Sequence, residues 1–220
     1  MTAKILIALL LGTVYCFAIF ALWPQIDLAA ASIFYHAGQF VGRGEAGDYL
    51  RRFFYDAPYF LLGAFVLTAI AKGLGRIERG PSGRAIFFLL ATLALGPGLL
   101  VNGWLKEISH RPRPEQTTDF GGPWTFKPYE FFDGQCAHNC SFVSGETATA
   151  AWTLAPALLA PPQARALAVA AAISFTVATA GLRMAFGGHY LSDVVFAALF
   201  TFAIVLGFYC WYRRGRQSKD

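Results

Sequence analysis

Charge is what this sequence has least of. Only 14% of its 220 residues are Asp, Glu, Lys or Arg, against about 25% in an ordinary soluble domain. With 56% hydrophobic residues, that shortage excludes most soluble classes. It also excludes intrinsic disorder, which needs low hydrophobicity and many charges. Four cysteines are too few for a disulfide scaffold. No internal repeat or low-complexity tract is present, which excludes repeat architectures. The net charge of +5 does not indicate nucleic acid, because the basic residues are scattered among apolar segments instead of gathered on one face.

What the chain does have is long apolar runs. Six stand out: Ile5 to Trp23, Ala57 to Ala71, Ala85 to Trp104, Phe142 to Ala160, Ala166 to Phe186 and Leu191 to Trp211. A helix needs about 20 such residues to cross the hydrocarbon of a bilayer. The second run is short and draws on Phe53, Phe54 and Tyr55. The expected fold is all-α, an integral membrane bundle of six transmembrane helices, forming one domain over residues 1–220. Basic residues orient it. Lys4, Lys72, Arg76, Arg79, Arg84, Arg165, Arg213, Arg214, Arg216 and Lys219 fall on one side with only Glu78 and Asp220. By the positive-inside rule that side is cytoplasmic and holds both termini. The first run is longer than a signal-peptide core and reads as a retained anchor. The polar stretch from Pro24 to Asp56 reads as a connector on the membrane surface, and Pro156 predicts a kink in the fourth span.

Ionisable groups at span ends are expensive and so point to function. Lys106 closes span 3; Ser144, Gly145 and Glu146 open span 4; Arg183 closes span 5; His189 and Asp193 flank the start of span 6. In a six-span topology all these ends meet at the face opposite the cytoplasm, here periplasmic. Lys106, Arg111, Arg113 and Arg183 are a dense set of cations, and guanidinium groups grip phosphate in bidentate fashion. The amides of Ser144 and Gly145 at a helix N-terminus add donors for an anion. Asp193, four residues after His189, can hold the imidazole in one tautomer, the arrangement of a nucleophile with its orienter. A phosphate-bearing lipid suits such a site.

Three stretches together carry a family resemblance. KEISHRPRP from Lys106 to Pro114, SFVSG ending at Gly145, and RMAFGGHYLSD from Arg183 to Asp193 resemble the signature of the type 2 phosphatidic acid phosphatase family, related to vanadium haloperoxidases. The motif-bearing core is expected over residues 101–212. The resemblance implies a membrane lipid phosphatase acting on a lipid phosphate monoester or diphosphate. It implies that His189 attacks phosphorus to give a phosphohistidine, that Asp193 orients it, and that Lys106, Arg113, Ser144, Gly145 and Arg183 bind the phosphoryl oxygens. It implies neither metal nor cofactor. Phosphatidate, phosphatidylglycerol phosphate, undecaprenyl diphosphate and lipid A are all open as substrates. A phosphotransferase using the same site and a non-catalytic phospholipid-binding protein are the alternatives.

One position departs from the pattern. The family's middle motif ends in a general-acid histidine, and here Glu146 stands in its place. Three readings follow: a substituted general acid, a leaving group such as a phosphate that needs little protonation, or a first-turn acid that satisfies the helix dipole. His110 and His138 are further stand-in acids, though as loop residues each reads first as solvated. Arg111 reads as a headgroup or salt-bridge partner. Cys136 and Cys140, four apart on an oxidising side, can pair in a disulfide that shapes the loop carrying His138 and Asn139. That Cys-containing loop and the non-histidine middle motif resemble the lipid A phosphatase branch.

Overall fold

A computed structural model describes residues 2–217; Lys219 and Asp220, counted above with the charged tail, lie outside the described residues. Five helices are long and apolar enough to span a bilayer: Lys4–Leu22, Glu45–Gly73, Gly83–Ile108, Pro162–Ala185 and Leu191–Arg214. They belong to α1 (Thr2–Leu22), α3 (Glu45–Gly73), the run α4 (Gly83–Leu93) to α5 (Lys106–Ile108), α8 (Pro162–Ala185) and α9 (Leu191–Gln217). Leu11, Val14, Phe60, Leu67, Leu167 and Val177 point outward, exposed, as expected where the surrounding solvent is lipid.

The fourth expected span is not one long helix. It is two short helices, α6 (Gly145–Trp152) and α7 (Leu154–Leu159), parted at Thr153. Pro156 has no N–H to give the carbonyl four residues back, at Trp152, so the ladder fails one turn before the proline. This pair is the centre of the bundle. Helix α6 packs against α3, α4, α8 and α9, and its residues from Thr147 to Trp152 are all buried. Small Ala and Thr side chains let four neighbours approach one helix closely. The buried Trp152 anchors it, its indole Nε1 donating to Leu89 O (3.1 Å) and Thr92 Oγ1 (3.0 Å).

The segment between the first two spans is more than a connector. It forms α2 (Gln25–Ser32) and a two-residue hairpin, β1 (Tyr35–His36) with β2 (Gln39–Phe40). Helix α3 then starts at Glu45, twelve residues before the apolar run. Glu45 and Asp48 in its first turn oppose the positive end of the helix dipole. Phe40, Phe120 and Tyr190 form a small core that fixes the hairpin to the start of α9. Span 3 is also irregular: Ala94–Leu105 is π-helical and contains Gly96, Pro97 and Gly98, a distortion often found at functional sites. At the far end of the bundle Arg84 donates to Trp211 O (2.8 Å), joining the start of α4 to the last turns of α9.

Candidate active site

His189 lies in the turn between α8 and α9, next to Gly188, which lines a cleft. Gly187 has a φ of +69° with the Phe40 ring where a side chain would stand, so the turn demands glycine. The His189 ring is fully buried. Its Nδ1 lies 2.7 Å from Ser141 O; a carbonyl only accepts, so Nδ1 carries the proton and Nε2 keeps its lone pair. Burial, offset in part by Asp193, pushes the imidazole down to about 3. It is neutral at physiological pH.

The direct bond expected from Asp193 to this imidazole is not made: Asp193 Oδ2 stands 3.7 Å from Nδ1. The carboxylate is otherwise engaged. Oδ2 accepts from Ser141 Oγ (2.5 Å) and Tyr190 N (2.8 Å), and Oδ1 accepts from Arg111 (2.6 Å). Asp193 thus holds Ser141, and Ser141 holds His189.

Arg111, an ion-pair partner and not a headgroup contact, is completely buried and joins two acids. It donates to Asp193, to Asp27 (2.7 Å), to Ser192 Oγ (2.8 Å) and to Lys127 O (2.9 Å), with Tyr190 stacked at 4.4 Å. Burial alone would lower its pKa; Asp193 and Asp27 outweigh it and raise it. Asp27, on α2, also accepts from Ser192 N (2.8 Å) and Ser192 Oγ (2.6 Å). Sequence reasoning missed Asp27. The available signal was one acid beside an apolar span with no local partner.

Arg183 and Lys106 lie close enough to His189 to disfavour a charge on its ring, and Arg113 lies near Lys106. Gly188 leaves room for the Arg183 guanidinium, since a Cβ there would lie 2.5 Å from its Nη2. Arg183 is buried and its Nε has no hydrogen-bond partner among the described residues. Such an orphan donor calls for a missing acceptor. Lys106 Nζ meets Asn139 Oδ1 (3.0 Å) and Arg113 meets Asn139 O (2.8 Å), so two oxygens of one loop residue bridge two of the cations. At the N-terminus of α6, Ser144 Oγ caps the helix by accepting from Thr147 N (3.3 Å). The Ser144 amide is committed elsewhere, to Asp193 O (3.2 Å), which leaves the Gly145 amide as the expected backbone donor. Gly145 is closely covered by Asn102, and a side chain there would collide with it.

Glu146 does not stand free. Arg51, from α3, donates to its Oε1 through Nη2 (2.6 Å) and Nε (3.0 Å), and Arg183 Nε is 3.5 Å away. A cleft of about 350 Å³ opens in front, lined by Arg43, Arg51, Arg113, Glu115, Arg183 and Gly188 among others. Arg43 pairs with Glu115 at its edge. Arg43 and Arg51 lie in the stretch read as a connector, outside every motif, which is why no spacing rule found them.

The other candidates lie away from the cleft. His110 binds Cys136 O (2.8 Å) and His138 pairs with Glu107 (3.1 Å), largely exposed. Cys136 and Cys140 are joined, with Cα atoms 5.7 Å apart, in the loop that brings Asn139 to Lys106.

A bundle of membrane-spanning helices that gathers three arginines, a lysine and a neutral, oriented imidazole at one end is the architecture of a lipid phosphatase. Residues 85–217 match the PAP2 superfamily, and the chain belongs to it. It is a membrane lipid phosphatase, within the lipid A phosphatase branch. It is 34% identical over 208 residues to a lipid A 4'-phosphatase of Rhizobium leguminosarum, covering 86% of this chain and 89% of that one. It is 36% identical over 207 residues to a lipid A 4'-phosphatase of Francisella tularensis subsp. novicida, covering 88% and 90%. No solved structure matches the chain.

Proposed function

We propose that this protein removes a phosphate monoester from the sugar backbone of lipid A, the 4'-phosphate of its curated relatives, at the periplasmic face of the bacterial inner membrane. The basic loop before α4, with Arg213 and Arg214 near the end of α9, lies at the opposite end of the bundle from the cleft, which supports cytoplasmic termini and a periplasmic site. Phosphorylated lipid reaches the cleft from the bilayer.

The observation that carries this reading is the neutral His189, with Nε2 unprotonated, near the buried Arg183, whose Nε makes no hydrogen bond among the described residues. Nε2 attacks phosphorus and forms a phosphohistidine. Arg183, Arg113 and Lys106, with the Gly145 amide and the Ser144 hydroxyl, hold the phosphoryl oxygens; Asn139 gives up its place between Lys106 and Arg113 when phosphate enters. Charge spreads over those oxygens in the transition state, so fixed cations supply most of the catalysis. Asp193 positions the nucleophile through Ser141 and balances the positive imidazolium ring that forms. Water then hydrolyses the phosphohistidine.

The test is phosphate release by the detergent-purified protein from a panel of lipid monophosphates, lipid diphosphates and lipid A, with His189→Ala beside it. Release from lipid A that vanishes in the variant, with a 32P label trapped on wild-type histidine, is the expected result. Release from phosphatidate or undecaprenyl diphosphate alone overturns the substrate assignment.

A further inference from the structure

Resting on the phosphatase reading above, we propose that Arg51 is a catalytic residue: its guanidinium stabilises the leaving oxygen as an anion and replaces the proton donor that the family's missing histidine would have supplied. The argument begins with depth. Side-chain exposure rises from 2% at His189 and 4% at Arg183 through 12% at Glu146 to 42% at Arg51. His189 is therefore the deepest of these groups, behind the cleft wall formed by Gly188 and Arg183, and Arg51 is the most exposed of them on that cleft. Attacking and leaving atoms in phosphoryl transfer lie roughly in line across phosphorus. With the nucleophile deepest, the leaving oxygen points outward, to the Arg51–Glu146 pair.

Two groups of that pair could act on the oxygen. Glu146 receives three hydrogen bonds from Arg51, at 2.6, 3.0 and 3.3 Å, so both its oxygens are occupied as acceptors, and giving a proton would require the pair to open. Arg51 needs no such change. It is permanently charged, it lines the cleft beside Arg113 and Arg183, and its guanidinium lies 5.7 Å over the Phe186 ring. Glu146 aims it, and a guanidinium has donors to spare for a second oxygen.

The chemistry balances. His189 Nε2 forms the N–P bond as the P–O bond to the sugar breaks, and the electron pair stays on the sugar oxygen beside Arg51. That alkoxide takes a proton from water in the open cleft, leaving hydroxide. Water then attacks phosphorus, the N–P pair returns to Nε2, and the proton released neutralises the hydroxide. A sugar alkoxide depends on Arg51, whereas a phenolate of low basicity does not.

The experiment compares kcat for a sugar phosphate lipid and a lipid-anchored nitrophenyl phosphate, in wild type, Arg51→Gln, Arg51→Lys, Glu146→Gln and His189→Ala. Arg51→Gln should lower kcat on the sugar phosphate by about 10²–10³-fold, the loss typical of an oxyanion donor, and by less than about tenfold on the nitrophenyl ester. Arg51→Lys should recover part of it, and Glu146→Gln should cost less than about tenfold on either. Equal losses for Arg51→Gln on both substrates would make Arg51 a binding or structural residue and overturn the proposal. So would a loss in Glu146→Gln confined to the sugar phosphate, which would make Glu146 the proton donor. Unfolding temperature in detergent separates misfolding from catalysis, and if Arg51→Gln fails to fold, Arg51→Lys carries the same comparison. No release by wild type from either ester would instead overturn the phosphatase reading itself, together with this one.

Discussion

The Nδ1 of His189 lies 2.7 Å from the carbonyl oxygen of Ser141, and this backbone contact, not a side chain, sets the imidazole's tautomer. Asp193 acts one step further out, by gripping the Ser141 hydroxyl at 2.5 Å. The His189 imidazole is therefore positioned by a loop on the N-terminal side of α6 that the carboxylate ties down.

The first prediction concerns its charge. Burial holds the His189 imidazole down to about 3, against about 6.5 in an unfolded chain. In 15N-histidine spectra His189 should stay neutral, protonated on Nδ1, from pH 8 to 5. A midpoint near pH 6.5 for this residue would contradict the burial described. The sign for stability follows. Below pH 6.5 the unfolded chain binds a proton that the native ring refuses, so the contribution is complete above pH 6.5 and is lost as pH falls towards 3.

Arg111 joins Asp27 and Asp193 with no solvent exposure. Deleting one partner of a buried pair leaves an uncompensated charge, at a cost of about 3–5 kcal/mol. Asp27→Asn should lower the unfolding temperature in detergent and reduce kcat with little change in KM, because Asp27 reaches the site through Arg111 and Ser192 and not through the cleft. A change confined to KM would place Asp27 in substrate binding.

Gly188→Ala isolates the phosphate grip. The new Cβ would meet the far end of the flexible Arg183 side chain, at 2.5 Å, so the guanidinium moves and the backbone need not. We expect kcat/KM to fall at least about tenfold, since small displacements of a catalytic group are costly, with an unfolding temperature close to wild type.

Gly145→Ala should behave differently. Its Cβ would collide with Asn102, whose Nδ2 is fixed on Pro97 O at 2.7 Å. Relief requires a shift of α6 or of the π-helical stretch, so activity and thermal stability should fall together.

The cleft's motif residues were legible in the sequence because each sits at a fixed offset from a span end. Lys106, Arg113, Arg183, His189 and Asp193 meet as soon as six ends are placed on one face. Arg51, Asp27 and Ser141 were not legible. Arg51 lies six residues before the apolar run of its helix, Asp27 lies in a short helix outside every motif, and Ser141 contributes a carbonyl that every residue possesses. The break at Thr153 was legible in Pro156, but not that the broken pair would be the buried centre of the bundle.

Composition and periodicity by themselves determined that this chain is a bundle of apolar helices suited to a bilayer, because hydrocarbon rejects charge and that rejection is written into local sequence. Only the tertiary structure decided which cations stay free. Arg111 and Arg183 are chemically identical and both buried, yet one is saturated by Asp27, Asp193 and Ser192 while the Nε of the other makes no hydrogen bond among the described residues and stands 3.5 Å from Glu146. Partner choice depends on distances between segments remote in sequence, and the fold sets those.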